Sequence, residues 1–265
     1  EIKQEFLNFV VIGGGPTGVE MAGSIAEIAY KTLNKEFNNF NSEDPNVYLI
    51  EANDKLLPMF SKKLSDKAEQ YLNDFGVKVL KNEKVTNVNH SNVETDKRTI
   101  KSRNIIWAAG NTASSLIEKL NTITDDNGRA IVDPDCSLKD DPNVFVIGDA
   151  SNHKDTSNTP LPGIAPVAMQ QGKYVGKIIK NKILKMDRKP FKFSDKGMMA
   201  TVGKYKAIGK IGNIEVSGFI AWVFWSVIHI VYLIGYRSKL LVIIEWIFSY
   251  LFNKKGTRLI YREEI

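Results

Sequence analysis

The sequence predicts an α/β fold, and three observations predict it. An apolar strand-forming run, Phe9-Val10-Val11-Ile12, leads directly into Gly13, Gly15 and Gly18 at G-x-G-x-x-G spacing. A helical pattern follows at once. Further short apolar runs at residues 47–50, 77–80, 104–110 and 143–150 alternate with helical or polar stretches, the rhythm of a sheet whose strands are covered on both faces. The strand–glycine–helix order is that of a Rossmann-like unit. Its first glycine permits a tight turn, its second lets backbone approach a pyrophosphate, and its third lets helix pack on strand. The free N–H groups and positive dipole end of the new helix face the phosphates. The same stretch without a ligand is a glycine-rich turn; between this strand and this helix it reads as a dinucleotide site.

The helix covers residues 17–34, with Val19, Met21, Ala22, Ile25, Ala26, Ala29 and Leu33 on a buried stripe. Thr17, at its start, joins the three glycines as a candidate cofactor contact. Glu20 is placed in the first turn, where the dipole favours its charge. It is either a helix-start carboxylate or one near the reacting end of a bound cofactor. Residues 35–45 form a polar, Asn-rich loop. The second strand ends at Glu51, and an acid there accepts hydrogen bonds from adenosine ribose hydroxyls while repelling a 2′-phosphate, which favours NADH over NADPH. Ser61 caps a helix that runs to Phe75 and is ended by Gly76. After the third strand, residues 85–100 alternate through polar turns as a β-meander. The strand at 104–110 leaves through Ala108, Ala109 and Gly110, small residues that let a ligand approach backbone.

A short strand is expected at 131–135 and a buried one at 143–150, the latter ending in Gly148-Asp149. The glycine lets the chain pass closely, and the acid can accept from a polyol hydroxyl. Residues 164–182 read as a helix with Ala168, Gln170 and Gln171 near its start. From 197 the character changes: a hairpin to 211, then an apolar aromatic stretch at 218–235 and a second at 240–252. Trp222, Trp225, Tyr232, Trp246 and Tyr250 suit a membrane interface, and Lys254, Lys255, Arg258 and Arg262 suit anionic headgroups. A membrane-surface helical hairpin, a spanning helix and a buried interface are the alternatives. His229 reads as a packed histidine, and no metal site is expected.

The chain has 265 residues, enough for one large or two modest domains, and a formal net charge of +6 that favours anionic surfaces or ligands without indicating nucleic acid. The single Cys136 excludes an internal disulfide and a Cys-pair redox centre.

Taken together, GGGPTGVEMAG, YLIEA, NIIWAAG, NVFVIGDAS and APVAMQQGKYVG, with GFIAWVFW and a histidine behind them, resemble the type II NADH:quinone oxidoreductases. These are single-subunit, non-proton-pumping respiratory flavoenzymes of the pyridine nucleotide-disulfide oxidoreductase superfamily. The resemblance covers essentially the whole chain. It implies NADH on Gly13, Gly15, Thr17, Gly18 and Glu51, with Ala109 and Gly110 lining the same cleft, and FAD with its ribitol on Asp149 beside Gly148. The family's Ala-Gln-x-Ala-x-Gln-Gln run, where flavin and quinone meet, matches residues 165–171. Pro166 replaces its first glutamine, so Gln170 and Gln171 carry over, with Ala168 between. Glu20 matches the family's carboxylate between the nicotinamide and quinone sides. The aromatic helices resemble its monotopic anchor.

The resemblance thus implies a Rossmann-like NADH domain with its β-meander at 1–115, the remainder of an FAD domain with the quinone-site helix at 116–195, and a β-hairpin with amphipathic anchor helices at 196–265. It also implies a quinone substrate, a membrane surface, a homodimer, no nucleic acid, and the cytoplasmic face of a bacterial inner membrane or a mitochondrial counterpart. The family's first G-x-G-x-x-G, which holds the FAD pyrophosphate, is expected upstream of Gly13, so the chain reads as a fragment without turnover of its own. Disulfide reductases and sulfide:quinone reductases need cysteines this chain lacks. A ferredoxin-type reductase has no use for the aromatic C-terminus. A nucleotide-binding and membrane-docking module without turnover is the rival from another class.

Overall fold

A computed structural model describes residues 2–32, 44–233 and 235–252. Its contacts divide the chain into two compact units, Glu1–Ala109 with Gly197–Ile265, and Gly110–Lys196. The C-terminal segment therefore packs with the first unit, where the sequence reading gave it a region of its own.

In the first unit a short helix α1 (Ile2–Leu7) precedes β1 (Asn8–Ile12), β2 (Asn46–Ile50), β3 (Val77–Leu80), the meander strands β4 (Val85–Val88), β5 (Asn92–Thr95) and β6 (Thr99–Lys101), and β7 (Asn104–Trp107). Strands β3-β2-β1-β7 form a parallel sheet in that order, and β4-β5-β6 an antiparallel one. The period-2 alternation of a strand divides β1 between two cores. Val11 joins Val47, Leu49 and the helices α2 (Pro16–Glu27) and α3 (Lys62–Asp74) on one face. Val10 and Ile12 join Ile50 and the meander's Val93 and Ile100 on the other. Each such side chain contributes about 1.5–3 kcal/mol by leaving water. Ser61 caps α3 as expected, its Oγ accepting from the Leu64 N–H at 3.3 Å, and Gly76 follows with φ +85°.

The helix expected over 17–34 starts at Pro16, keeps α geometry to Glu27 and closes as a π-turn at Ile28–Thr32. That turn is fastened by Tyr30, whose hydroxyl donates toward the Pro45 and Gly76 carbonyls and accepts from the Val47 N–H. Leu33, Asn34 and most of the Asn-rich loop lie outside the described residues. Glu20 is thus the fifth residue of α2, past the first turn in which the sequence placed it.

The second unit contains β8 (Ala130–Ile131) paired in parallel with β9 (Ser151–Asn152), and α4 (Ala165–Lys180). The strand expected at 131–135 stops early, because Pro134 offers no N–H and Cys136 turns the chain with φ +63°. Residues 143–150 form no ladder. Among the described residues they make one bridge, Ser137 to Phe145, and then a 3₁₀ turn, Gly148–Ala150. Apolar composition marks a candidate strand, but a ladder also needs a partner along its length.

Asp135 organises this unit. Its carboxylate accepts from the Ser137 hydroxyl at 2.7 Å and pairs with Lys185 at 2.9 Å and Arg188 at 3.1 Å. Burial pushes its pKa up, but these bonds outweigh burial and hold it down at about 2. Cys136 is buried beside it, and burial, reinforced by the Asp135 charge, pushes the thiol up to about 12. It keeps its proton at neutral pH and offers no thiolate.

The chain returns to the first unit as β10 (Met198–Gly203), β11 (Lys206–Ile211) and β12 (Ile214–Gly218), so the expected hairpin gains a third antiparallel strand. Ala200, Val202 and Ile208 enter the core of α2 and α3. Helices α5 (Phe219–Tyr232) and α6 (Tyr236–Phe252) follow.

Candidate functional site

The glycine loop lies at the carboxyl edge of the parallel sheet, where β1 has β2 on one side and β7 on the other. That is the topological switch point at which open α/β sheets bind ligands. Gly13 has φ +110°, and a Cβ on it would lie 2.8 Å from the Ala108 carbonyl oxygen and 2.9 Å from Ala109 Cα. A Cβ on Gly18 would lie 1.8 Å from the Gly13 carbonyl oxygen, so helix and turn close on each other only through glycine. Gly15 caps α2, with Pro16 behind it, and a Cβ there would meet nothing within 4 Å. Two glycines are therefore demanded by the protein's own backbone, while the third opens onto free space beside the helix N-terminus. Thr17 is exposed in that first turn.

Gly14, which the sequence reading passed over, joins this loop to the acid. Its N–H donates to Glu51 Oε2 at 2.6 Å, and its carbonyl accepts from the Leu57 N–H at 2.8 Å. A Cβ on it would lie 2.6 Å from Leu56 Cδ2. The run of three consecutive glycines was the available signal. Glu51 Oε1 accepts from both the backbone N–H and the side-chain amide of Asn53, at 2.8 and 2.6 Å. Glu20, half-buried on α2, accepts from the Thr201 N–H of β10 at 3.4 Å. Its neighbour on the same helix, Glu27, is buried and accepts from the Lys204 N–H. Ala109 accepts from the Trp107 indole N–H at 2.6 Å, and Gly110 has φ +72° with open space at its Cβ position.

In the second unit, Gly148 has φ +66°, and a Cβ on it would press against Ala168 Cβ at 3.1 Å. Its N–H donates to Gln171 Oε1 at 2.7 Å. Gln171 is fully buried, and its Nε2 has no partner among the described residues. A buried donor left without an acceptor costs about 1–3 kcal/mol, which a bound acceptor would relieve. Asp149 is exposed in the adjoining turn. Gln170 differs from its neighbour: both ends of its amide are taken by the Ser194 backbone, at 3.0 Å each way.

Helices α5 and α6 present a large apolar surface. Ile220 is 64% exposed, Val231 60%, Ile244 54% and Phe248 55%. Helix α5 buries Ala221 and Ser226 and leaves most of its apolar side chains exposed. The helices meet at a stack of Trp225, His229 and Trp246, with ring centroids 4.9–5.8 Å apart. Among the described residues no cluster of metal ligands occurs, and no helix is long and apolar enough to cross a membrane. The basic residues from Lys254 onward lie outside the described residues.

Residues 1–172 match the family described as pyridine nucleotide-disulphide oxidoreductase, and residues 196–255 match the NDH2 C-terminal domain. The chain belongs to the pyridine nucleotide-disulphide oxidoreductase family. Its second match, to the NDH2 C-terminal domain, covers the three antiparallel strands and the two helices that follow them. The chain is 38% identical over 268 residues to a type II NADH:quinone oxidoreductase of Mycobacterium tuberculosis, covering 97% of itself and 57% of that relative. It is 30% identical to a mitochondrial internal alternative NAD(P)H-ubiquinone oxidoreductase of Arabidopsis thaliana, over 97% of itself and 54% of that protein. The chain thus spans about half the length of these curated relatives. In fold it is similar to NDH2 of Plasmodium falciparum, solved in complex with NADH, with a TM-score of 0.84, 19% identity and coverage of 94% of this chain and 66% of that one.

Proposed function

We propose that this chain forms the NADH side, the distal flavin side and the membrane-facing helices of a type II NADH:quinone oxidoreductase that does not pump protons. The observation that carries the reading is the glycine loop, with Gly15 open at the N-terminus of α2 and latched through Gly14 to Glu51. The N–H groups of the first turn, with Thr17, would hold the NADH pyrophosphate. Glu51 would accept from the adenosine ribose, and Ala109 and Gly110 would let the nicotinamide half approach backbone.

FAD, when bound, supplies the acceptor for a hydride and the donor of two electrons to a quinone. The residues present fit it: Asp149 would accept from ribitol hydroxyls, Gly148 and Ala168 would leave room beside it, and the unpartnered Gln171 Nε2 would donate to an acceptor on the ring edge or the quinone. Gln170, tied to Ser194, would hold the helix start in place. Glu20 would hold a proton or orient a ring. The exposed apolar surface of α5 and α6 would dock on a membrane, at the cytoplasmic face of a bacterial inner membrane, with a homodimer as its other use.

The test joins the chain to the N-terminal part of its relative that it does not cover, incubates the product with FAD, removes the excess and titrates it anaerobically with NADH. Bleaching of the flavin absorbance and its recovery on adding a soluble quinone analogue are expected. Recovery should slow in Glu20→Gln, and an unchanged rate removes that residue's role. The chain's coverage of 57% of its relative favours a second reading, a nucleotide-binding and membrane-docking unit without turnover. NADH binding with no retained flavin would support it, and absence of NADH binding would overturn both. For docking, co-sedimentation with vesicles of anionic phospholipid is expected; dimerisation without lipid and without co-sedimentation would reverse that assignment.

A further inference from the structure

The loop after β2 fixes the direction of its acid with unusual economy. A carboxylate has about four lone-pair positions, and a free glutamate side chain spends them in many orientations. Here the Gly14 N–H occupies one position on Oε2, and two donors from Asn53 converge on Oε1. The carboxylate cannot rotate without breaking the Asn53 pair, and the position still open on Oε2 is the one free to accept from a ligand hydroxyl. Asn53 is itself anchored: its carbonyl accepts from the Asn82 N–H at 3.0 Å, and the Glu51 backbone is bonded both ways to the exit of β3, at Leu80 and Glu83. Lys55 of the same loop and Lys81 at the exit of β3 are engaged elsewhere. Lys55 donates to the Pro58 and Phe60 carbonyls, and Lys81 pairs with Glu69 at 2.6 Å.

We propose that Asn53 is a positioning residue that sets the preference for a dinucleotide with a free adenosine 2′-hydroxyl, by locking the Glu51 carboxylate against the glycine loop. The proposal rests on the NADH reading above. Asn53 is exposed, so removing its amide leaves the core untouched. Without that amide the carboxylate gains rotational freedom, its hydrogen bond to the 2′-hydroxyl weakens, and its repulsion of a 2′-phosphate is relieved by turning away.

The test titrates the chain and Asn53→Ala by ligand fluorescence with three probes: NADH, NADPH and an NADH analogue lacking the adenosine 2′-hydroxyl. In the variant, the Kd for NADH should rise about fivefold to tenfold, the size of one ordinary hydrogen bond, because the bond to the charged carboxylate is weakened rather than lost. The Kd for NADPH should stay or fall, and the Kd for the deoxy analogue should not change. The ligand-free melting temperature should stay at the wild-type value, and Asn53→Ser, which keeps a short donor, should recover part of the loss. An unchanged Kd for NADH in Asn53→Ala, or equal losses for NADH and the deoxy analogue, would overturn the proposal. Failure of the wild-type chain to bind NADH at all would instead overturn the reading on which it rests.

Discussion

Gly23→Ala should destabilise the chain by about 3 kcal/mol or more, read as a lower midpoint in urea or thermal unfolding. A Cβ at Gly23 would lie 1.7 Å from the Val202 carbonyl oxygen and 2.8 Å from its carbon. Both are backbone atoms, in a bulge of β10 whose flanking Thr201 and Gly203 pair with Ala207 and Lys206 of β11, so no rotamer change relieves the clash. Helix α2 must withdraw from the strand. Withdrawal opens the core that Ala22 and Ala26 share with Ala200 and Val202, and it stretches the bonds from Thr201 to Glu20 and from Lys204 to Glu27. Gly176→Ala is the control. It sits in α4 with nothing within 4 Å of an added Cβ, and alanine is favoured over glycine in a helix interior by about 1 kcal/mol, so that variant should be slightly more stable. Equal midpoints for the two variants would mean that α2 and β10 do not meet at Gly23.

Gly23 also marks where the sequence stops being informative. Its motif was visible, but nothing local says that its face meets a strand far along the chain. The elements written locally were legible. Ser61 and Gly76 bound α3 by capping chemistry, the apolar runs of β1, β2, β3 and β7 were complete in themselves, and the meander announced its own alternation. Residues 143–150 looked as apolar as β1, yet a strand is a property of its neighbours, and among the described residues this run meets one bridge. Glu51 stands out in the sequence as a candidate through its position after a strand. Gly14 and Asn53, which decide how its carboxylate points, were missed because their roles are hydrogen bonds across a loop rather than residue types in a pattern. Gln170 and Gln171 are adjacent and chemically identical in the sequence. Burial and partners separate them: one is tied at both ends to Ser194, the other is buried with a donor that meets no acceptor among the described residues.

Asp135→Asn should be the second large loss, about 3 kcal/mol, because it strands a buried cation. The Arg188 side chain is 7% exposed, and with the carboxylate gone it keeps the Pro142 and Ile183 carbonyls and the face of Phe145 but no counter-charge. Lys185, 42% exposed, retains Asp133 and water, so most of the loss falls on Arg188. The same group sets an acid limit. Its folded pKa is about 2, against an ordinary value of 3.8 in the unfolded chain. The unfolded chain therefore takes up the proton first, and acid favours unfolding. The stabilisation, about 2–3 kcal/mol by linkage, is fully present above the unfolded pKa and is lost as pH falls through it toward the folded one. Asp125, also held below the usual carboxylate range by Arg129 and Asn152 against the effect of burial, titrates in wild type and variant alike and cancels in their difference. Unfolding free energies of both proteins measured from about pH 6 down to about pH 2 should therefore converge, the gap shrinking by about 2 kcal/mol. Parallel curves would mean that Asp135 is not the charge that Arg188 depends on, and that the ion pairs around it are held together by the fold rather than holding it.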